Sequence, residues 1–318
     1  MKILIIRFSS IGDIVLTSPV LRCLAEQKKA ELHFLTKPQF VSLVEHNIHI
    51  HRVHAFAEFK ETLASLKSQE FDLVIDLHNN LRSQKIKRGL AVKSYSYKKM
   101  SVKRFLLTKF KFDLLKGNHV VDRYFTAVKR IGVTNDGRGL DFYFPIQSLP
   151  DLPEKFILIA IGTAHYTKNL PAKMIEELCF LYDLPIVLIG GKEHYNFISK
   201  INLPQDKQIL NLVGKTSLLE SAQIISNSSL VISPDTGMLH IAAAQKKPLV
   251  AVYGSTSSKL GFTPYMDKEK YVIVENNDLS CRPCTKQGRS LCPKGHFKCM
   301  NDIKSSDIVD KSEQLIDL

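Results

Sequence analysis

Short apolar runs alternate along the chain with longer stretches in which apolar positions recur every three or four residues. The first pattern predicts buried strands and the second amphipathic helices. "KILIIRF" reads as a strand, "DIVLTSPVLRCLAEQKK" as a helix, "AELHFLT" as a strand, and "PQFVSLVEHN" as a further helical stretch. "HRVHAF" follows as a short strand, "EFKETLASLKSQ" as a helix and "FDLVIDLH" as a strand. At "FPIQSLPDLPEK" three prolines exclude both a helix and a central strand. The alternation then restarts with the strands "FILIAIG", "LPIVLIGG", "SLVISPD" and "PLVAVYG", separated by the helices "PAKMIEELCFLYD", "TSLLESAQIISNS" and "GMLHIAAAQ". Strands that alternate with helices imply parallel sheets with crossover helices, an α/β class. The expectation is two such domains, 1–150 and 151–318, with a cleft between the C-terminal edges of their sheets. A length of 318 residues agrees, because one hydrophobic core stops growing near that size.

The first strand runs into "RFSSIGDIVLTSPVLRCL", where Ser9, Ser10 and Gly12 permit a tight bend and Asp13 stands at the mouth of an apolar helix. In open α/β sheets ligands bind at that edge, so this turn predicts a pocket. No apolar run approaches the roughly 20 residues of a membrane span, and Asp13 interrupts what a signal peptide would need. The expected location is therefore cytoplasmic, or peripheral on the inner face of a membrane. Six cysteines in a chain this long do not suggest a secreted disulfide scaffold.

The net charge is +13, and its distribution narrows the partners. From Leu81 to Phe112, "LRSQKIKRGLAVKSYSYKKMSVKRFLLTKFKF", there are eleven Lys and Arg and no acid. Leu, Val and Phe recur between the charges, which suits anionic lipid headgroups. A solvated helical face with a basic bias is the alternative. No recognition motif for nucleic acid accompanies the charge, so nucleic acid is not expected as a partner.

In the second half, "SPDTGMLHIAAA" follows a strand: Ser233 to Thr236 form a turn and a helix starts near Gly237. Helix-start N–H groups suit a diphosphate, Thr236 can add a donor, and His240 lies three residues into the helix. The structural alternative is a helix cap at Asp235 or Thr236 with His240 facing the core. "GTAHYTKNLP" brings Thr163, Thr167 and Lys168 to the same edge, where Lys168 can meet a phosphate as a point charge. "GGKEH" offers Glu193 to ribose hydroxyls, or merely to a helix start. No G-x-G-x-x-G follows either domain's first strand and no Walker A is present, which weakens dehydrogenase and NTPase readings.

Near the C-terminus Cys281 and Cys284 form a C-x-x-C, followed by Cys292, His296 and Cys299. Four thiolates, or three and an imidazole, can close a tetrahedral zinc site, although the spacings match no standard ribbon or finger. Reduced thiols packed in a loop are the alternative, and either role is architectural. Cys23 and Cys179 read as core positions.

Taken in order, "MKILIIRFSSIGDIVLTSPVLRCL", "VIDLHNNLRS", "SPDTGMLHIAAAQKKPLVAVYGSTS" and "CRPCTKQGRSLCPKGHFKCMNDI" resemble glycosyltransferase family 9, the ADP-heptose:lipopolysaccharide heptosyltransferases. The resemblance implies the GT-B architecture, two facing Rossmann-like domains, acceptor on the first and nucleotide sugar on the second. It implies Asp13 as general base, with Ser10 and Gly12 in the acceptor turn and Arg82 facing the acceptor. His78 and Asn79 depart from the family's Gln-Gly. It further implies Thr163, Lys168, Glu193, Asp235, Thr236, Gly237 and His240 as the donor site, with inversion at the anomeric carbon and no metal in catalysis. The implied partners are ADP-heptose, a Kdo-lipid A or heptosylated inner-core acceptor, and the cytoplasmic face of the inner membrane. Rival readings are another nucleotide sugar or acceptor, a non-catalytic binding protein, and, more remotely, an oxidoreductase.

Overall fold

The computed structural model describes residues 1–163 and 165–316, which divide into two compact units. Met1–Met100 and Asn118–Pro145 form the first, and Ser101–Gly117 and Ile146–Leu318 the second. The first half of the chain therefore contributes a basic segment, Ser101–Gly117, to the second unit, which a single boundary near residue 150 does not anticipate.

The first unit contains β1 (Lys2–Ile6), α1 (Ile11–Val15), α2 (Ser18–Lys28), β2 (Glu31–Thr36), β3 (Arg52–Ala55), α3 (Phe59–Lys67), β4 (Leu73–Asp76), α4 (Leu81–Leu90) and β5 (Ser94–Ser96). α5 (Ser101–Phe110) packs with the second unit, and α6 (Val120–Phe125) returns to the first. Its five strands lie in the order β3-β2-β1-β4-β5, with the parallel register Ile3↔Leu32 and Ile5↔Ile75. Ile3, Leu4, Ile5 and Ile6 are all fully buried, as expected where a parallel sheet is covered on both faces.

The expected long first helix is two helices. Pro19 has no N–H to donate, and its ring would meet the carbonyl of Val15, so α1 ends there and α2 begins at Ser18. Thr17 Oγ1 fills the break by donating to Ile14 O at 2.6 Å. "PQFVSLVEHN" also falls short of an α-helix: only Pro38–Leu43 winds, as a 3₁₀ turn.

The second unit adds β6 (Ile157–Ala160), α7 (Ala172–Leu181), β7 (Ile186–Ile189), α8 (Tyr195–Ile198), β8 (Ile209–Asn211), α9 (Leu218–Asn227), β9 (Leu230–Pro234), α10 (Gly237–Ala244), β10 (Leu249–Tyr253), β11 (Tyr271–Glu275), α11 (Lys298–Asn301) and α12 (Ser305–Glu313). Its sheet runs β11-β10-β9-β6-β7-β8, all parallel. In each sheet the strand order reverses beside the unit's first strand, at β1/β4 and at β6/β9. Such switch points splay the following loops and leave a crevice at the C-terminal strand ends.

Candidate active site

At the β1/β4 switch point of the first unit, Arg7 is the one cation at the end of an apolar strand and only 6% exposed, so it must be paired. Its Nη1 donates to Leu77 O (2.6 Å) and its Nε to Ser9 O (2.7 Å), while Nη2 meets Asp13 Oδ1 at 2.7 Å. Burial works against the guanidinium charge, but Asp13 and the neighbouring Tyr124 and Tyr97 outweigh it and raise the Arg7 pKa above its ordinary value. Asp13 also accepts from Ser10 Oγ (3.0 Å) and Ser10 N–H (3.4 Å) at Oδ2, and from Tyr124 OH (3.3 Å) at Oδ1. Burial pushes the Tyr124 phenol well above its usual range, so it stays a neutral donor. The Asp13 side chain keeps 23% of its surface exposed, and it is thus a fixed carboxylate with an open approach. Gly12 is buried within α1.

Beside it, β4 ends in Asp76, which is fully buried and accepts from His78 N–H, Asn79 N–H and Ser83 Oγ, with Lys87 Nζ at 3.0 Å. Lys87, one of the eleven cations of the basic run, therefore has a structural partner. Asn79 takes a left-handed backbone, φ 51°, where a glycine is favoured and Asn is tolerated, and its Nδ2 is anchored on Tyr97 O at 3.1 Å. His78 lies edge-on to Phe8, and burial, with Arg7 and Lys99 nearby, lowers its pKa to about 4. Arg82 is exposed and stacks over Phe56 (5.2 Å) and Phe8 (5.6 Å). It lines a cavity of about 640 Å³ with Phe56, Phe59, Asn80, Leu81 and Lys85. Cations over aromatic rings, open to solvent, suit an anionic ligand with an apolar portion.

At the β6/β9 switch point of the second unit, Lys168 Nζ and Asp235 Oδ2 pair at 3.0 Å. Thr256 Oγ1, from the loop after β10, donates to the same carboxylate oxygen at 2.8 Å. Thr236 serves as the N-cap of α10, accepting from Met238 N–H at 3.1 Å, so its hydroxyl is engaged as the structural alternative anticipated. Gly237 opens that helix, and His240 is 3% exposed. Thr163 N–H donates to Asn169 Oδ1 (2.6 Å), and buried His194 bonds through Nε2 to Thr163 O (3.0 Å) and Asn169 Nδ2 (3.3 Å). Glu193 is more than half exposed, with His194 Nδ1 at 3.7 Å. Lys168 and Asp235 are brought into contact, whereas Glu193 stands on the neighbouring loop.

The cysteine segment reaches this site through an arginine. Arg282, inside the C-x-x-C, is 7% exposed and donates to Gly254 O (2.6 Å), Thr256 O (2.9 Å) and Glu275 Oε2 (2.6 Å), fixing the loop that carries Thr256. Ser255 Oγ donates to Thr167 Oγ1 at 2.8 Å, and Lys111 Nζ donates to Cys281 O (3.0 Å) and Pro283 O (2.8 Å). The thiols have separate surroundings. Cys284 Sγ donates to Ser255 O at 3.7 Å, and Cys281 Sγ lies 4.0 Å from His296 Nε2. Burial pushes the Cys299 thiol up to about 12, while backbone N–H groups of Phe297, Lys294, Gly295 and His296 outweigh burial at Cys292 and lower its pKa. Among the described residues, these thiols do not form a set with three ligand atoms within 4.8 Å of one another.

Arg7, Tyr124, Asn169, His194, Thr256 and Arg282 are the site residues that sequence reasoning passes over. Arg7 had a signal, an isolated cation in an apolar strand. The others are defined by contacts with no local pattern.

Comparisons with known proteins agree with this fold. The family model described as "Glycosyltransferase family 9 (heptosyltransferase)" matches residues 60–294. A lipopolysaccharide heptosyltransferase 1 from Campylobacter coli is 24% identical over 339 residues, spanning 88% of this chain and 97% of that protein. A glycosyl transferase family 9 structure from Veillonella parvula DSM 2008 superposes with a TM-score of 0.78 at 19% identity, covering 99% of this chain and 96% of that one. The E. coli heptosyltransferase WaaC, solved with ADP, gives 0.71 at 19% identity, covering 99% and 100%. Fold and family match together define a glycosyltransferase of the GT-B class. The chain belongs to glycosyltransferase family 9.

Proposed function

We propose that this enzyme transfers a heptose from ADP-heptose to the inner core of lipopolysaccharide, with inversion and with Asp13 as general base. The observation that carries the reading is the Asp13 carboxylate, locked by Arg7, Ser10 and Tyr124 yet open on one side. The acceptor hydroxyl gives its proton to Asp13 as its oxygen bonds to the anomeric carbon, while the bond from that carbon to the diphosphate oxygen breaks and ADP leaves. A carboxylate held at 2.7 Å from a guanidinium is a weak base, so the proton moves late and in concert with bond formation.

Leaving-group charge falls to Lys168 and to the N–H groups at the start of α10, an arrangement that needs no divalent ion. Lys168 turns from Asp235 to the diphosphate, and Asp235, still held by Thr256, accepts from sugar hydroxyls. Thr163, Thr236, Gly237 and His240 shape this donor loop, and Glu193 contacts the nucleoside. Two names support the donor and acceptor: WaaC was solved with ADP, and the Campylobacter coli relative is a lipopolysaccharide heptosyltransferase. Ser10, Gly12 and the Arg82 cavity hold the acceptor, whose Kdo carboxylates and phosphates suit Arg82 and Lys85.

No helix among the described residues is long and apolar enough to cross a membrane. The proposed location is the cytoplasmic face of the inner membrane, reached through the basic run, where Phe110 (52%) and Phe112 (64%) are exposed among lysines. The cysteine segment is architectural, and zinc at Cys281, Cys284, Cys292 and Cys299 would require Cys284 to leave Ser255 O.

The deciding measurement is ADP release from ADP-heptose by purified protein, with Kdo-lipid A acceptors carrying zero or one heptose. Release dependent on one acceptor establishes the reaction and its step. Nucleotide binding without release on either acceptor points to another sugar or acceptor, and no nucleotide binding overturns the donor site.

A further inference from the structure

At the end of the first sheet opposite the Asp13 turn, a second polar cluster takes no part in transfer. Glu31 opens β2, His33 follows two residues on, and His51 immediately precedes β3, the edge strand. His33 Nε2 lies 2.9 Å from Glu31 Oε1, and His51 Nε2 lies 3.8 Å from the same oxygen. Each residue offers one ligand atom, and the three atoms all lie within 4.8 Å of one another.

We propose that Glu31, His33 and His51 bind a divalent cation of the Zn²⁺, Co²⁺ or Ni²⁺ kind, pinning the edge strand to the sheet. Two imidazoles and one carboxylate are a donor set that such borderline ions take, with solvent filling the remaining positions. Bonds of about 2.0–2.2 Å place neighbouring ligand atoms roughly 3–3.5 Å apart, so only a small movement of His51 is needed. Its side chain is 65% exposed and has room to make it.

What surrounds the cluster prepares it for a metal. Without a metal, His33 Nε2–H donates to Glu31; once a metal takes Nε2, His54 Nε2, 2.8 Å from His33 Nδ1, can accept the Nδ1 proton, as outer partners of metal-bound histidines do. Phe71 packs edge-on against both rings and fixes their planes. Lys2 Nζ, 3.6 Å from Glu31 Oε1, is the cation a metal must compete with.

The test is Co²⁺ binding to the chelator-treated full chain, followed by equilibrium dialysis and absorption. Thiolate ligation gives intense near-ultraviolet charge-transfer bands that nitrogen and oxygen ligands do not, which separates this site from the cysteine segment. The expected result is one Co²⁺ equivalent without those bands, lost in His51→Ala and Glu31→Gln and weakened about 10–100-fold in His54→Gln. The same equivalent raises Tm in the parent chain and not in His51→Ala, an exposed substitution that leaves the fold intact. Lys2→Met tightens it. If all bound Co²⁺ carries thiolate bands, or if His51→Ala changes neither stoichiometry nor affinity, the cluster is only a hydrogen-bonded chain from His54 through His33 to Glu31 and the proposal fails.

Discussion

The two switch points hold their key carboxylates in different ways. In the first unit Asp13 is fixed by a guanidinium, itself held on two carbonyls, and by two hydroxyls. In the second unit Lys168 and Asp235 are partners of each other, with one hydroxyl added. A group that must accept a proton at one geometry benefits from preorganisation, because no reorganisation is left for the moment of reaction. A group that binds a large anion benefits from a partner it can exchange, because an unpaired buried charge would be costly before the anion arrives. The contrast predicts that changes in the first unit alter rate and changes in the second alter affinity.

The largest break in that contrast comes from Asp13. Asp13→Asn should lower transfer by about 10²–10⁴-fold, the range for a general base, with ADP affinity measured by calorimetry unchanged. Asp13→Ala should abolish transfer too, but it strands Arg7, so the Asn variant is the cleaner reading. Loss of ADP binding in Asp13→Asn would remove the division of roles.

Next comes acid stability. Burial lowers the pKa of both His54 and His78 from 6.5 to about 4, and both belong to the first unit. The folded pKa lies below the unfolded one, so this stability is complete above about pH 6.5 and is lost as pH falls towards 4. For His54 alone the upper limit is about 3 kcal/mol. Urea unfolding should show a falling midpoint across that window, and His78→Gln should flatten it. A midpoint independent of pH there would deny that the two imidazoles are buried neutral.

Lys168→Ala should weaken ADP binding on the order of 10–100-fold, as loss of a charge-assisted contact does, and transfer with it. A variant that lost rate but kept ADP affinity would place Lys168 on the wrong side of the comparison. The smallest effect is expected of Tyr124→Phe, which removes one long bond to Asp13 and should lower kcat a few-fold, about 1 kcal/mol, with KM unchanged.

Much of this architecture could be read from the sequence because parallel strands are buried on both faces and appear as apolar runs. "KILIIRF", "FILIAIG" and "PLVAVYG" became β1, β6 and β10. β5 ("SYS") and β8 ("ILN") are only three residues long and half-buried, too short to show a period, whereas β11, "YVIVE", has an apolar run that the sequence reading does not include. Asp13 was legible from its turn, since small residues and a carboxylate meet at a strand end. Tyr124 was not, for it reaches Asp13 across 111 residues. In the cysteine block the sequence pattern singles out the thiols, whereas the residue that grips the loop after β10 is Arg282 between Cys281 and Cys284.

The segment carrying α5 also has a history during synthesis. Lys111 finds its carbonyl partners Cys281 and Pro283 only 170 and 172 residues later in the chain. At ribosomal speeds of about 5–20 residues per second, the helix leaves the exit tunnel roughly 10–30 s before those partners do. Throughout that interval the nascent segment, with its lysines and phenylalanines, is without the carbonyls that hold Lys111 in the finished second unit.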